Sequence, residues 1–99
     1  HVDDFMGQGD DTISIITAGI AERLIKDKIS TSNTTIVIKV AKHLKKIKTI
    51  AANLGLLETS VYISQIDQAH QYSDRLDMIS DEVIEYFSII IIKNPRFNP

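Results

Sequence analysis

TIVIKVAKHLKKIKTIAANLGLL, residues 35–57, is the stretch whose reading decides the fold. Its opening is apolar and β-branched at consecutive positions. A strand with one wet face alternates polar and apolar residues, whereas an unbroken Ile/Val run is what a strand covered on both faces shows. Together with Thr34 it predicts a buried strand over Thr34–Val40. The period then changes. Leu44, Ile47, Ile50, Ala51 and Leu54 recur at three- and four-residue steps, which places them on one stripe of a helix, about Lys42–Leu54. Gly55 follows where a helix end calls for a left-handed residue, a conformation that costs glycine little.

Reading outward, Thr12–Ala18 (TISIITA) is short and β-branched and predicts a strand. GIAERLIKDKI places Ile20, Leu24 and Ile25 towards one side and sets Glu22 four residues before Lys26. It predicts a helix over about Ile20–Ile29. STSN breaks that helix. Ser60–Ile66 (SVYISQI) predicts a third strand. Residues 67–84 are polar, with scattered apolar positions at Leu76, Met78, Ile79, Val83 and Ile84, and give no clear period. Tyr86–Lys93 (YFSIIIIK) predicts the last strand, and the prolines of NPRFNP stop it, since proline cannot extend a ladder.

Strands alternating with amphipathic helices imply an α/β layer joined by right-handed crossovers. The expectation is a mixed, mostly parallel sheet of four or five strands, with helices on both faces and Thr34–Val40 at the centre. Because the last strand follows a polar excursion rather than a helix, an antiparallel placement stays open for it. Residues 1–10 read as a polar linker or tag-derived lead-in, 11–94 as one domain and 95–99 as a tail. His1 is not a natural start, which suggests a processed or cloned fragment.

Ninety-nine residues with 43% hydrophobic content suffice for one core. No apolar run approaches the roughly 18 residues of a membrane span, and the polar, acidic start is unlike a signal peptide. The absence of cysteine rules out disulfides and thiolate metal sites and suits a cytoplasmic protein. The net charge of −2 is unevenly spread. Residues 1–50 hold eight Lys/Arg against six Asp/Glu, and residues 51–99 hold three against seven.

Five lysines fall between Lys39 and Lys48. Those of the helix, Lys42, Lys45, Lys46 and Lys48, point away from its apolar stripe, which reads first as a solvated face with snorkelling stems. The first turn and a half nevertheless carries Lys42, His43, Lys45 and Lys46 at the end where the helix dipole disfavours cations. A positive helix start after a buried strand suits an anionic ligand. Nucleic acid fits less well, because no aromatics interleave with the lysines and arginine is scarce there. No HExxH, HxH, GxSxG or GxGxxG pattern is present, and DDFMGQGDD lacks the ligand spacing and closing Glu of a calcium loop. By its residues alone the chain has no complete active site and no metal site.

The stretch TIVIKVAKHLKKIKTIAANLGLLETSVYI resembles the second half of the tetrapyrrole methylase family, in particular its precorrin-2 C20-methyltransferase branch. Members show a hydrophobic strand ending in a K-V-G type turn, a basic helix beginning H-L, an L-G-L-L exit and a V-Y-V type strand. GDDTISII before it and YFSIIIIK after it fit in order, so the resemblance spans about Gly9–Lys93. It implies two-domain enzymes that use S-adenosylmethionine to methylate a tetrapyrrole in cobalamin biosynthesis. Only the C-terminal domain is represented, so the N-terminal methylase domain is an implied partner and the fragment alone is expected to be inactive.

The resemblance also implies site residues. The cofactor lies between the domains and meets mostly backbone at strand ends. The turn Lys39, Val40 and Ala41 corresponds to a contact on the adenine side. Gln65 and Ile66 correspond to a second contact, and Phe87 and Ser88 to a third. Lys42, His43 and Lys46 are candidates for attracting the substrate's carboxylates. The sequence departs from the family where Ala41 replaces a common glycine, Thr17 a common proline and Ile66 a small residue, and DQAHQYSDR follows Ile66 in place of an Ala-Thr pair and a basic E-R. No catalytic residue is implied within this chain. A domain separated from its neighbour is expected to expose apolar surface and to form homo-oligomers. A non-catalytic α/β binding or regulatory module, and less readily a basic-helix nucleic-acid binder, stand as alternative readings.

Overall fold

A computed structural model describes residues 11–98. Five strands and two helices follow one another as β1 (Ile13–Thr17), α1 (Glu22–Ser30), β2 (Thr34–Ile38), α2 (Leu44–Asn53), β3 (Val61–Gln65), β4 (Gln71–Arg75) and β5 (Ser88–Lys93). Short 3-10 turns at Ala41–His43 and Leu76–Met78 lead into α2 and out of β4. The expected lead-in over 1–10 lies outside the described residues. No helix of the described residues is long and apolar enough to cross a membrane.

The strands form one mixed sheet in the order β1-β2-β5-β3-β4. The α/β class and the five-stranded mixed sheet are as the sequence predicts, but three details differ. First, only β1 and β2 are parallel, while β2–β5, β5–β3 and β3–β4 are antiparallel. The sheet is therefore not mostly parallel. The reason lies in residues 67–84, which contain no helix to carry the chain back across the sheet; a hairpin reverses it instead. Second, β4 was not expected. QYSDR is largely exposed and offers no apolar alternation. It is held by its ladder to β3, where Gln65 faces Gln71 and Val61 faces Arg75. Third, the middle strand is β5 rather than β2, because Ser88–Lys93 inserts between β2 and β3 and carries four consecutive isoleucines.

Both helices pack on one face of the sheet, not on two. Ile16, Val37, Ile90 and Tyr62 stand in register across β1, β2, β5 and β3. They join Ile25 and Ile29 of α1 and Leu44, Ile47, Ile50 and Ala51 of α2 in a single buried cluster. The stripe predicted for α2 is thus its core face, with Leu54 partly buried at the rim. At the end of α2, Gly55 takes φ 71°. The Leu56 N–H reaches the Ala51 carbonyl at 2.8 Å and the Gly55 N–H reaches Ala52 at 3.0 Å. This pair of bonds satisfies carbonyls that the helix end would leave open. The C-terminal stretch is also tied in: the Asn33 side-chain amide donates to the Phe97 carbonyl, and the Arg96 guanidinium donates to that of Leu54.

Candidate functional site

The pairing pattern gathers the carboxyl ends of β1, β2 and β3 and the start of β5 along one edge of the sheet. Strand-end edges of this kind are where open α/β sheets bind ligands, since strand ends hand over to loops that can vary without disturbing the core. A cavity of about 490 Å3 lies there, lined by Lys39, Ile63, Gln65, Gln71, Tyr86, Phe87, Ser88 and Ile89. That size falls within the range of small-molecule sites.

Four residues singled out in the sequence, Lys39, Gln65, Phe87 and Ser88, meet in this cavity although they come from three strand ends. Among the described residues Phe87 and Tyr86 are the most exposed of the large apolar side chains, at 77% and 84%. The Ser88 side chain is buried, and its Oγ donates to the Glu85 carbonyl at 2.8 Å. The Gln65 N–H donates to the Phe87 carbonyl at 2.8 Å, which ties the end of β3 to the residue before β5.

The other candidates lie elsewhere. Val40 is buried in the core and has only backbone to offer. Ile66 is exposed and lines a smaller hollow of about 230 Å3 on the helix side, with Tyr62, Tyr72 and Val83. Its N–H is taken by the His70 carbonyl at 2.9 Å, inside the β3–β4 hairpin turn. In that turn Asp67 accepts the Ala69 N–H at 2.8 Å and lies 2.8 Å from His70 Nδ1. The Ala69 N–H first, and then His70, hold the Asp67 carboxyl below its ordinary pKa.

The turn after β2 is strained. Lys39 and Ala41 both take positive φ, 55° and 32°. Residues with a Cβ meet steric repulsion there, and such strain gathers where a backbone must be aimed. Between them Val40 is right-handed, and its carbonyl accepts the His43 N–H at 2.6 Å. Ala41 itself opens the 3-10 turn.

The basic helix start divides in two. Lys42 and Lys45 are exposed. Lys46 is half-buried and donates through Nζ to the carbonyls of Ala18, at 2.9 Å, and Ile20, at 2.6 Å. His43 Nε2 lies against Gly19 in the same connection. Lys46 and His43 therefore line the β1–α1 loop rather than the cavity. Lys48, expected in a solvated face, is mostly covered, donates to the Ile79 carbonyl and pairs with Asp81 at 2.6 Å. The bond from Lys48 holds the Asp81 carboxyl below its ordinary pKa.

Ile63, Gln71, Tyr86 and Ile89 were missed in the sequence. Two of them had a signal in the two-residue period, which puts Ile63 beside Gln65 and Ile89 beside Phe87 on one face. Gln71 enters only through the hairpin register, so it could not be found without β4. Among the described residues no group of three or more His, Asp or Glu is placed to hold a metal ion.

No protein-family model matches the chain. Over 92 residues, 93% of its length, it is 25% identical to a precorrin-2 C(20)-methyltransferase of Sinorhizobium sp.. The chain spans 38% of the length of that relative.

Proposed function

We propose that this chain is a C-terminal part of an S-adenosylmethionine-dependent methyltransferase acting on a tetrapyrrole, with C20 of precorrin-2 as the methylated position. Its role there is to form one wall of the cofactor cleft. The observation that carries this reading is the meeting of Lys39, Gln65, Phe87 and Ser88 in one cavity at the strand ends. The likeness to part of a precorrin-2 methyltransferase supports the same reading.

The lining fits a nucleoside-sized group. Phe87, Tyr86, Ile63 and Ile89 give apolar surface for a flat ring, Gln71 lines the cavity beside them, and the Gln65 amide nitrogen donates to the Asp67 carbonyl of the adjoining turn. The strained Lys39–Ala41 turn fixes the direction of its peptide groups at the mouth. When bound, the cofactor supplies an electrophilic methyl group. This chain's residues bind and orient. Catalysis in such a transfer rests on holding two reactants in line, so half a cleft is expected to turn over almost nothing.

Binding by this chain alone is weak on the same grounds. Three backbone hydrogen bonds at about 0.5–1.5 kcal/mol each barely offset an association cost of about 4 kcal/mol or more. Titration of isotope-labelled chain with S-adenosylhomocysteine is the test. Amide shifts confined to residues 39–41, 65–66 and 86–89, without saturation below roughly millimolar, about 4 kcal/mol, are the expected result. Shifts clustered at the opposite sheet edge, around Asn33 and Lys93, or none at all, overturn the reading.

A further inference from the structure

On the helix side of β3 and β4 the segment 78–85 lies over the strands and leaves a hollow of about 230 Å3. Its most deeply buried polar residues are Tyr62 and Ser64, at 1% and 3% exposure. Among the described residues every other buried serine or threonine hydroxyl is bonded. Ser32 pairs with Ser14 at 2.6 Å, Ser60 and Ser88 donate to carbonyls at 2.7 and 2.8 Å, and Thr34 and Thr35 have partners too. The Ser64 and Tyr62 hydroxyls have none. No side-chain nitrogen or oxygen sealed from solvent lacks a partner among the described residues, so both hydroxyls open into the hollow. Ile66, Tyr72, Met78 and Val83 give it apolar sides. Glu85 is the one charged side chain in the lining; it is half-buried, and its carboxylate has no partner among the described residues.

We propose that this hollow is a second binding site, for a single aromatic ring bearing an amidinium or ammonium group. Size sets the first limit. An apolar cavity of about 150 Å3 takes one benzene ring, so 230 Å3 admits one ring with one substituent. Charge sets the second. A carboxylate only accepts hydrogen bonds, whereas hydroxyls both donate and accept. The lining therefore offers acceptors to a cationic nitrogen, and it holds no cation for an anion. Lys48, which reaches the covering segment, is engaged by the Ile79 carbonyl and Asp81. Burying a hydroxyl without a partner is unfavourable, so a ligand that bonds Tyr62 and Ser64 gains from groups the fold leaves unpaired. The frame is also fixed in advance: Lys48 ties down residues 79 and 81, and Ser88 Oγ holds the Glu85 carbonyl. Side chains alternate along β3, so Tyr62 and Ser64 face this hollow while Ile63 and Gln65 line the strand-end cavity. The inference thus rests on its own residues and does not require the methyltransferase reading.

Titration of the isotope-labelled whole chain with benzamidine is the experiment, with benzoate as a probe of like size and opposite charge. Saturable amide shifts are expected at residues 62–66, at Tyr72 and over 78–85, with half-saturation at roughly millimolar, as a fragment-sized ligand allows. Benzoate should leave those amides unmoved. Glu85→Gln should weaken benzamidine binding at least about tenfold, since it removes the charge from a charge-assisted bond. Ser64→Ala should weaken it about two- to tenfold and leave the urea midpoint unchanged, because the hydroxyl has no protein partner to lose. Circular dichroism checks that the variants fold, and the comparison of benzamidine with benzoate needs only the wild-type chain. The absence of saturable shifts at these residues overturns the proposal, as does benzoate binding there equally well. So does unchanged binding in Glu85→Gln, a loss of stability in Ser64→Ala, or a response confined to residues 39–41 and 86–89, which places the amidine in the strand-end cavity instead.

Discussion

Ala41 and Lys48 show what single residues contribute. Ala41 holds φ 32° where its Cβ is disfavoured. The left-handed region costs an L-residue about 1–2 kcal/mol, against roughly 0.5–1 kcal/mol for the added freedom of an unfolded glycine. Ala41→Gly is therefore expected to stabilise the fold by up to about 1 kcal/mol. Ala41→Val should lose about 1–3 kcal/mol. Urea unfolding of the pair measures both. Lys48 has a carbonyl partner and a mostly covered stem. Lys48→Ala should cost about 1 kcal/mol or more, whereas Lys45→Ala, on open surface, should stay within about 0.5 kcal/mol. The acid side of the Lys48–Asp81 pair can be followed by pH. Its folded pKa is below the ordinary 3.8. The pair thus stabilises the fold above that ordinary value, and the stabilisation is lost as pH falls towards the lower folded value. Carboxyl NMR should show the Asp81 midpoint returning upward in Lys48→Met.

At the scale of elements, α2 was fully legible and β4 was not. Helix α2 carries its own instructions: a stripe at the right period and a glycine at the right place. Ile47 is fully buried, so Ile47→Ala should cost about 2–5 kcal/mol. Gly55→Ala should cost about 1–2 kcal/mol by forcing a Cβ into φ 71°. Thermal melts of the two variants, compared with the exposed-site variant Lys45→Ala, check the assignment. The β4 sequence contains no such instruction. Gln71–Arg75 is a strand because β3 is beside it and because Asp67 closes the turn that brings it there. The one local sign was an Asp three residues before His70, a common turn signature but also an ordinary loop sequence. The site followed the same division. Lys39, Gln65, Phe87 and Ser88, named through resemblance, line one cavity, and Gln71 joins them only through the hairpin register.

For the whole molecule, the order of strands sets which residues are central. Ile90 sits in the middle strand and is fully buried, while Ile15 sits on an edge and is 66% exposed. Ile90→Ala should lose about 2–5 kcal/mol, and Ile15→Ala should stay within about 0.5 kcal/mol in dilute solution. Chemical unfolding at low protein concentration separates the two. Local information decided the existence of β1, α1, β2, α2, β3 and β5, because side-chain period and chain-stopping residues are properties of neighbours in sequence. It also decided that β2 is interior, since Ile36, Val37 and Ile38 have no polar alternative to burial. Only the tertiary structure decided that β5 enters between β2 and β3, that three of four pairings are antiparallel, and that both helices share one face. Each of those depends on which distant segments form backbone hydrogen bonds with one another. The apolar period of a strand says that a face is covered, but the covering partner is chosen in three dimensions.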